Sequence, residues 1–161
     1  IALLNRGLRN YASVVEAFVG ADFSQVAGAG AAGGLGFAFI ALLGASLRSG
    51  IDTLLDMLHF DERVKHCDIV VTGEGRIDHQ TLMGKAPSGV LRRAMQYGVT
   101  TIAVGGGVKW SDELRDGGFA AIYASTPDNQ PLEEAMLEEV AKENVRRIAS
   151  HIAQTIVLEL S

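Results

Sequence analysis

Three short apolar runs, separated by helix-length segments, restrict this chain to a small set of folds. Ile69 to Thr72, Thr100 to Val104 and Phe119 to Ala124 carry no charge and read as buried strands. Between the first two, a helix is predicted from Pro87, a residue suited to the first helical position, to Gly98, suited to the position just past a helix end. Ser111 is placed to cap a short helix from Asp112 to Asp116. Pro131 opens a last helix with Leu137, Ala141, Val145, Ile148, Ile152 and Ile156 along one face. Right-handed crossovers turn this β-α-β-α-β-α order into a parallel sheet with helices on its faces.

Parallel strands share one carboxyl edge, and open α/β sheets place their chemistry in the loops beyond it. The edge predicted here carries Thr72-Gly73-Glu74-Gly75-Arg76-Ile77-Asp78, read as the start of a long loop, together with Gly105 to Gly107 and Ser125-Thr126. Glu74 and Asp78 have two readings. They could hold Mg²⁺, which is often bound by one or two carboxylates plus phosphate oxygens, or one could accept a proton from a substrate hydroxyl. Arg76 could neutralise phosphate or grip a carboxylate with its planar fork; the plainer reading is a Glu–Arg pair that stiffens the loop. Gly84-Lys85-Ala86-Pro87 shares letters with the end of a Walker A loop, but the upstream glycine is missing and Ala86 replaces Ser or Thr. Lys85 still precedes a helix start, where a cation and free amides could hold phosphate. His79 and Gln80 read as polar caps, Arg92 and Arg93 as a solvated helix face, and Glu133 to Glu139 as solvated surface.

Upstream of Asp68 the pattern is helical. Leu4, Leu8, Tyr11, Val15 and Phe18 form one face of a helix that Gly20 stops. Gly28-Ala-Gly-Ala-Ala-Gly-Gly-Leu-Gly36 leads into a helix from about Leu35 to Leu43. A short helix is predicted over Ile51 to Leu58, and Asp61 is placed to cap one more turn. Gly28, Gly30 and Gly33 satisfy the letters of a dinucleotide fingerprint. The preceding Asp22 to Val26 is a poor strand, however, and Asp52 falls in a helix, so the fingerprint fails in context. Gly28, Gly30, Gly33 and Gly34 remain either an anion site at a helix start or a closely packed turn.

Composition excludes several classes. Of 161 residues, 48% are apolar and 20% charged, as in a globular chain. A net charge of −5 without a basic stripe argues against nucleic acid. The single cysteine, Cys67, forbids an internal disulfide and reads as a small buried hydrophobe before the first strand; with four scattered histidines it shows no zinc-ligand spacing. Val26 to Leu47 is uncharged, but its first half is nearly all Gly and Ala, and Leu35 to Leu43 is too short to span a bilayer. No membrane association is expected, and a reducing, cytoplasmic setting fits. The chain starts with Ile1 inside a helical pattern and reads as a piece of a longer protein.

The two long motifs in this order, Gly28 to Gly36 and Thr72 to Asp78, followed by Gln80-Thr81, Gly84-Lys85-Ala86-Pro87 and Gly89-Val90, resemble the bacterial glycerate kinase family, the glycerate 2-kinase type, across essentially the whole chain. Members are more than twice as long, so the resemblance is to their C-terminal portion. It implies ATP-dependent phosphorylation of D-glycerate to 2-phosphoglycerate, with ATP and Mg²⁺ as cofactors. It also implies a flavodoxin-like α/β domain with a second α/β domain inserted into it, and a site in the cleft between them. Residues 1–66 would then be part of the inserted domain and residues 67–161 the C-terminal half of the flavodoxin-like one. The catalytic candidates are Glu74, Arg76 and Asp78, with Glu74 and Asp78 also the metal candidates. Thr72, Gly73, Gly75, Lys85, Gly28, Gly30, Gly33 and Gly34 are the substrate or phosphate candidates.

Two departures stand out. The family's N-terminal Asp-Ser-Phe-Lys-Gly-Ser-type motif and its central Asp/Gly-rich segments are absent, so the chain alone is expected to be inactive and to need the missing N-terminal part as partner. Gly105-Gly-Gly-Val-Lys-Trp110 replaces an Ala-Gly-Ser-type loop, with Lys109 a local addition. Homo-oligomerisation is left open. The alternatives are a non-catalytic module that binds a sugar acid or phosphate through the same loops, and a dinucleotide oxidoreductase.

Overall fold

A computed structural model of the chain describes residues 2–159. Packing divides it into two units, one up to Ser49 and the other from Gly50 on. The expected boundary after residue 66 is not where the packing divides. Phe60 and Val64 share a cluster with Ala94, Val99 and Val70, so the helices that carry them belong with the sheet.

In the first unit, α1 (Ala2–Val19) ends at Gly20, whose amide donates to the Glu16 carbonyl at 2.8 Å. Only the middle of its predicted stripe is covered: Val15 is buried, whereas Leu4 is 71% and Phe18 82% exposed. Val15 packs with Ala29, Phe37 and Ile40, and the Tyr11 ring meets Phe37 edge-on at 5.3 Å. The second helix, α2 (Ala31–Leu43), has regular backbone only beyond Gly34, because Ala32, Gly33 and Gly34 are left-handed. This matches the predicted start near Leu35. Among the described residues no helix is long and apolar enough to cross a membrane.

In the second unit, α3 (Gly50–Met57) and α4 (Phe60–Val64) precede β1 (Ile69–Ile77). Asp61 does not cap α4. His59 stands at the cap position, and the Asp61 carboxylate accepts instead from Arg93 Nη1 at 2.8 Å. Arg93 also donates to Asp56 at 2.5 Å, and Arg92 to Asp52 at 2.5 Å. The predicted solvated face is thus an ion-pair seam that joins α5 (Ala86–Gln96) to α3 and α4. The Arg93 guanidinium is held more firmly protonated than usual, first by Asp56 and then by Asp61, against the opposing effect of burial. Cys67 is exposed rather than buried, its thiol facing the Arg63 carbonyl in the turn after α4.

The sheet is parallel in the order β1-β2-β3, with β2 (Thr100–Val108) central and β3 (Ala121–Ala124) at the far edge. The α/β reading therefore holds. Ile77, Ala103 and Ile122 pack with Leu91 of α5, Phe119 and Leu114; Leu114 lies in α6 (Asp112–Arg115), which Ser111 caps as predicted. Ile69, Ile102 and Val104 pack instead with Ile148 and Ile152 of α8 (Glu138–Glu159). The last helix is broken, with α7 (Leu132–Ala135) preceding α8. Ala135 is buried, as are Asn144, Ile148 and Ile152. At 100° per residue, a straight helix would turn Ala135 roughly away from them. The joint resolves the conflict and leaves Leu137 exposed; Val145, inside α8, is exposed as well, contrary to the predicted stripe.

Candidate active site

The first two strands are longer than their apolar runs. Thr72 to Ile77 continues β1 instead of forming a loop, and Gly105 to Val108 continues β2. The ladder pairs Gly73 with Val104, Glu74 with Gly105, Arg76 with Gly107 and Ile77 with Val108. A glycine-rich, charged segment has little β-propensity. It holds here because two backbones come unusually close: a Cβ on Gly73 would stand 2.4 Å from the Val104 carbonyl oxygen, and one on Gly106 would stand 2.6 Å from that of Gly75. The result is a shelf of nearly bare backbone at the carboxyl edge. Beyond β3, Ser125 and Thr126 keep bonding to the carbonyls of Gly105 and Gly106, so the predicted edge residues share this shelf.

Strict alternation would put Glu74 on one face and Ile77 on the other. Yet Glu74 reaches the residues leading into α5, and Ile77 packs on Leu91 of α5 itself. The alternation breaks across Gly75, and the candidate site residues part there. Glu74, Asp78 and Lys85 gather on the α5 side. Lys85 Nζ lies 3.6 Å from Glu74 Oε2 and 3.5 Å from Asp78 Oδ1. The two acids are largely covered, at 19% and 18% side-chain exposure, and Lys85 is more open at 36%.

Arg76 does not join this group, and the alternative of a Glu74–Arg76 pair is not formed among the described residues. Arg76 is exposed and lines a cavity of about 900 Å³ with Trp110, Thr126, Asp128 and Gln130. Thr72 and Gly73 border another cavity, of about 660 Å³, walled by Ile148, Ile152 and Ile156 of α8. Gly75 lines the same cavity as Arg76, and a Cβ on it would meet no atom within 4 Å.

A 3₁₀ turn, His79–Leu82, holds the acids in place. Asp78 caps it: the Gln80 amide donates to Asp78 Oδ1 at 3.0 Å, and the Asp78 amide donates to Thr81 Oγ1 at 3.1 Å. Thr81, fully buried, then donates its hydroxyl proton to Glu74 Oε1. Burial alone would push the Asp78 carboxyl up. The Gln80 amide, the Lys85 ammonium and the charge of His79 together outweigh it and hold the carboxyl below its ordinary value.

Three of the four oxygens of Glu74 and Asp78 already face protein donors, and Lys85 stands as the cation between them. Among the described residues no group of three or more His, Cys, Asp or Glu side chains is placed to hold a metal ion. As arranged, the pair holds an ammonium between its carboxylates.

Gly28, Gly30, Gly33 and Gly34 lie in the first unit, in a tight turn. The amides of Ala29, Ala31 and Phe37 are spent on the carbonyls of Val26, Gly28 and Ala29. A Cβ on Gly34 would stand 2.8 Å from Leu8 Cδ2, and one on Gly36 would stand 2.8 Å from the Gly28 oxygen. Close packing accounts for these two glycines. Gly30 and Gly33 have open space around the Cβ position.

Two residues at the edge had no role from sequence. Thr81 was visible within the Gln80-Thr81 pair of the family motif and as the third residue after a capping acid, a spacing that matches a capping box. Trp110 was visible as an aromatic two residues beyond a glycine-rich strand end.

A three-stranded parallel sheet with an acid–lysine–acid cluster at its carboxyl edge defines an α/β protein with its candidate site where such folds bind ligands. The glycerate kinase family model matches residues 1–157, and the chain belongs to that family. It is 42% identical over 151 residues to glycerate kinase of Bacillus cereus, covering 93% of this chain and 39% of that protein. It is 36% identical to glycerate 2-kinase of Escherichia coli, covering 98% and 41%. A crystal structure provisionally assigned as glycerate kinase 2 from Salmonella typhimurium LT2 superposes with a TM-score of 0.71 at 36% identity, covering 94% of this chain and 38% of that one. The chain thus spans about two fifths of the length of the relatives it matches.

Proposed function

We propose that this chain is the C-terminal part of an ATP-dependent glycerate kinase that phosphorylates the 2-hydroxyl of D-glycerate. The carrying observation is the convergence of Glu74, Asp78 and Lys85 at the carboxyl edge of the parallel sheet, in a chain of the glycerate kinase family. The name of the Escherichia coli relative supports the 2-position.

Phosphoryl transfer depends on positioning and on neutralising charge rather than on covalent chemistry. In this reading Glu74 accepts the proton of the substrate hydroxyl as it attacks the terminal phosphate. Lys85, the most open member of its cluster, turns from the carboxylates toward phosphate oxygens. Asp78 holds Lys85 at the site until the phosphate arrives. Arg76, on the other side of Gly75, takes a second anionic group, a phosphate or the carboxylate of the acid. The bare shelf lets these groups approach the backbone. A divalent cation arriving with the nucleotide would supply further neutralisation. Residues before Asp68 belong in large part to an inserted domain, and the rest of the cleft comes from sequence outside this chain.

The test is ATP-dependent glycerate phosphorylation by the longer protein that carries this chain. Glu74→Gln is expected to lower kcat by about 10²–10⁴-fold, the range for loss of a general base. Arg76→Ala is expected to raise KM for one substrate. Near-normal turnover in both variants overturns the assignment, and activity of the 161-residue chain alone overturns its partial character.

A further inference from the structure

We infer that Thr81 is a positioning residue that fixes Glu74 as a proton acceptor. The inference rests on the reaction proposed above and deepens it. A threonine hydroxyl has one proton and two lone pairs. The Asp78 amide can only donate, so at their 3.1 Å contact Thr81 Oγ1 must accept. Its one proton is then free to point at Glu74 Oε1, the other oxygen in reach. The direction of the pair is set by the backbone: Thr81 donates and Glu74 accepts.

Full burial of Thr81 denies water the chance to replace either bond. Its own amide donates to the Asp78 carbonyl at 2.9 Å, so the side chain cannot drift from the turn. Glu74 is held from two sides, with Oε1 on Thr81 and Oε2 near Lys85. When Lys85 swings to an anionic ligand, Thr81 is the contact that remains. It keeps the carboxylate at the strand edge, with Oε1 as the accepting oxygen.

A cap serving stability alone would use the same amide bond, so the test must separate the two roles. In the longer protein, Thr81→Val is expected to lower kcat by about 10–100-fold, in line with a displaced catalytic group, with KM for ATP within about threefold. Thr81→Ser restores the donor and should return kcat to within about threefold of wild type. Thr81→Cys keeps the volume but donates weakly and should behave like valine; it stands in if the valine variant does not fold. Val64→Ala, in a buried cluster apart from the turn, should lower the thermal midpoint while leaving kcat unchanged. If wild type phosphorylates glycerate and neither Thr81→Val nor Thr81→Cys changes kcat by more than about threefold, the inference is wrong and the proposed function stands. It is also wrong if serine does no better than valine. If wild type does not phosphorylate glycerate, both fall.

Discussion

In the stretch from Gly28 to Gly36, Gly28, Gly33 and Gly34 take positive φ, and Ala32 joins them at 51°. In Gly73 to Gly75 and Gly105 to Gly107 no glycine does. The first group turns the chain; the second lets two extended strands touch. Within the second group the need is uneven. Gly73 has a carbonyl oxygen where its Cβ would be, whereas Gly75 and Gly107 have nothing. Glycine count alone therefore does not reveal a ligand site. What matters is whether the missing Cβ would meet backbone, a flexible side chain or open space.

Alanine substitutions can break this comparison. Gly73→Ala should have the largest effect, because backbone cannot yield as a side chain can. Overpacking costs about 1–3 kcal/mol and at times more, and here we expect about 3 kcal/mol or above in chemical denaturation, with loss of the site. Gly34→Ala should cost about 2 kcal/mol, combining the left-handed penalty of about 1–2 kcal/mol with displacement of the Leu8 side chain. If Gly34→Ala proves worse than Gly73→Ala, positive φ and not close approach dominates in both stretches.

A smaller effect tests the shelf electrostatically. The Asp78 carboxyl is held below 3.8 in the folded chain, so its contribution should be complete above that value and vanish as pH falls through the lower folded one. The melting-temperature gap between wild type and Asp78→Asn should be flat between about pH 5 and 7 and close on further acidification. A gap that widens on acidification would contradict the ion-pair reading. Gly75→Ala is expected to be smallest, within about 0.5 kcal/mol, as for a substitution that meets no other atom. A large loss there would mean that the shelf needs glycine for its backbone and not for its clearance.

Much of the fold was legible. Pro87, Gly98 and Ser111 mark helix ends through local chemistry; Gly98 and Ser111 act as read, and Pro87 stands one residue inside the start at Ala86. The strand cores follow from apolar runs whose burial is a property of the side chains themselves. The extension of β1 was not legible, because Gly73 to Arg76 carries no β signal and is a strand only through its pairing with β2. The sites divide in the same way. Glu74, Asp78 and Lys85 could be picked out as residue types at a strand end and a helix start. That Arg76 departs from them, and that Thr81 joins them, depends on a break in alternation and on a buried hydroxyl.

Sequence alone determined the alternation of strands and helices, the parallel sheet and the edge on which acids and bases collect, since these follow from local periodicity, caps and the handedness of crossovers. Tertiary structure decided which of those charges meet. A side chain's partner is set by the register of two strands and by where backbones can touch, and at this edge both are governed by residues that have no side chain to announce them.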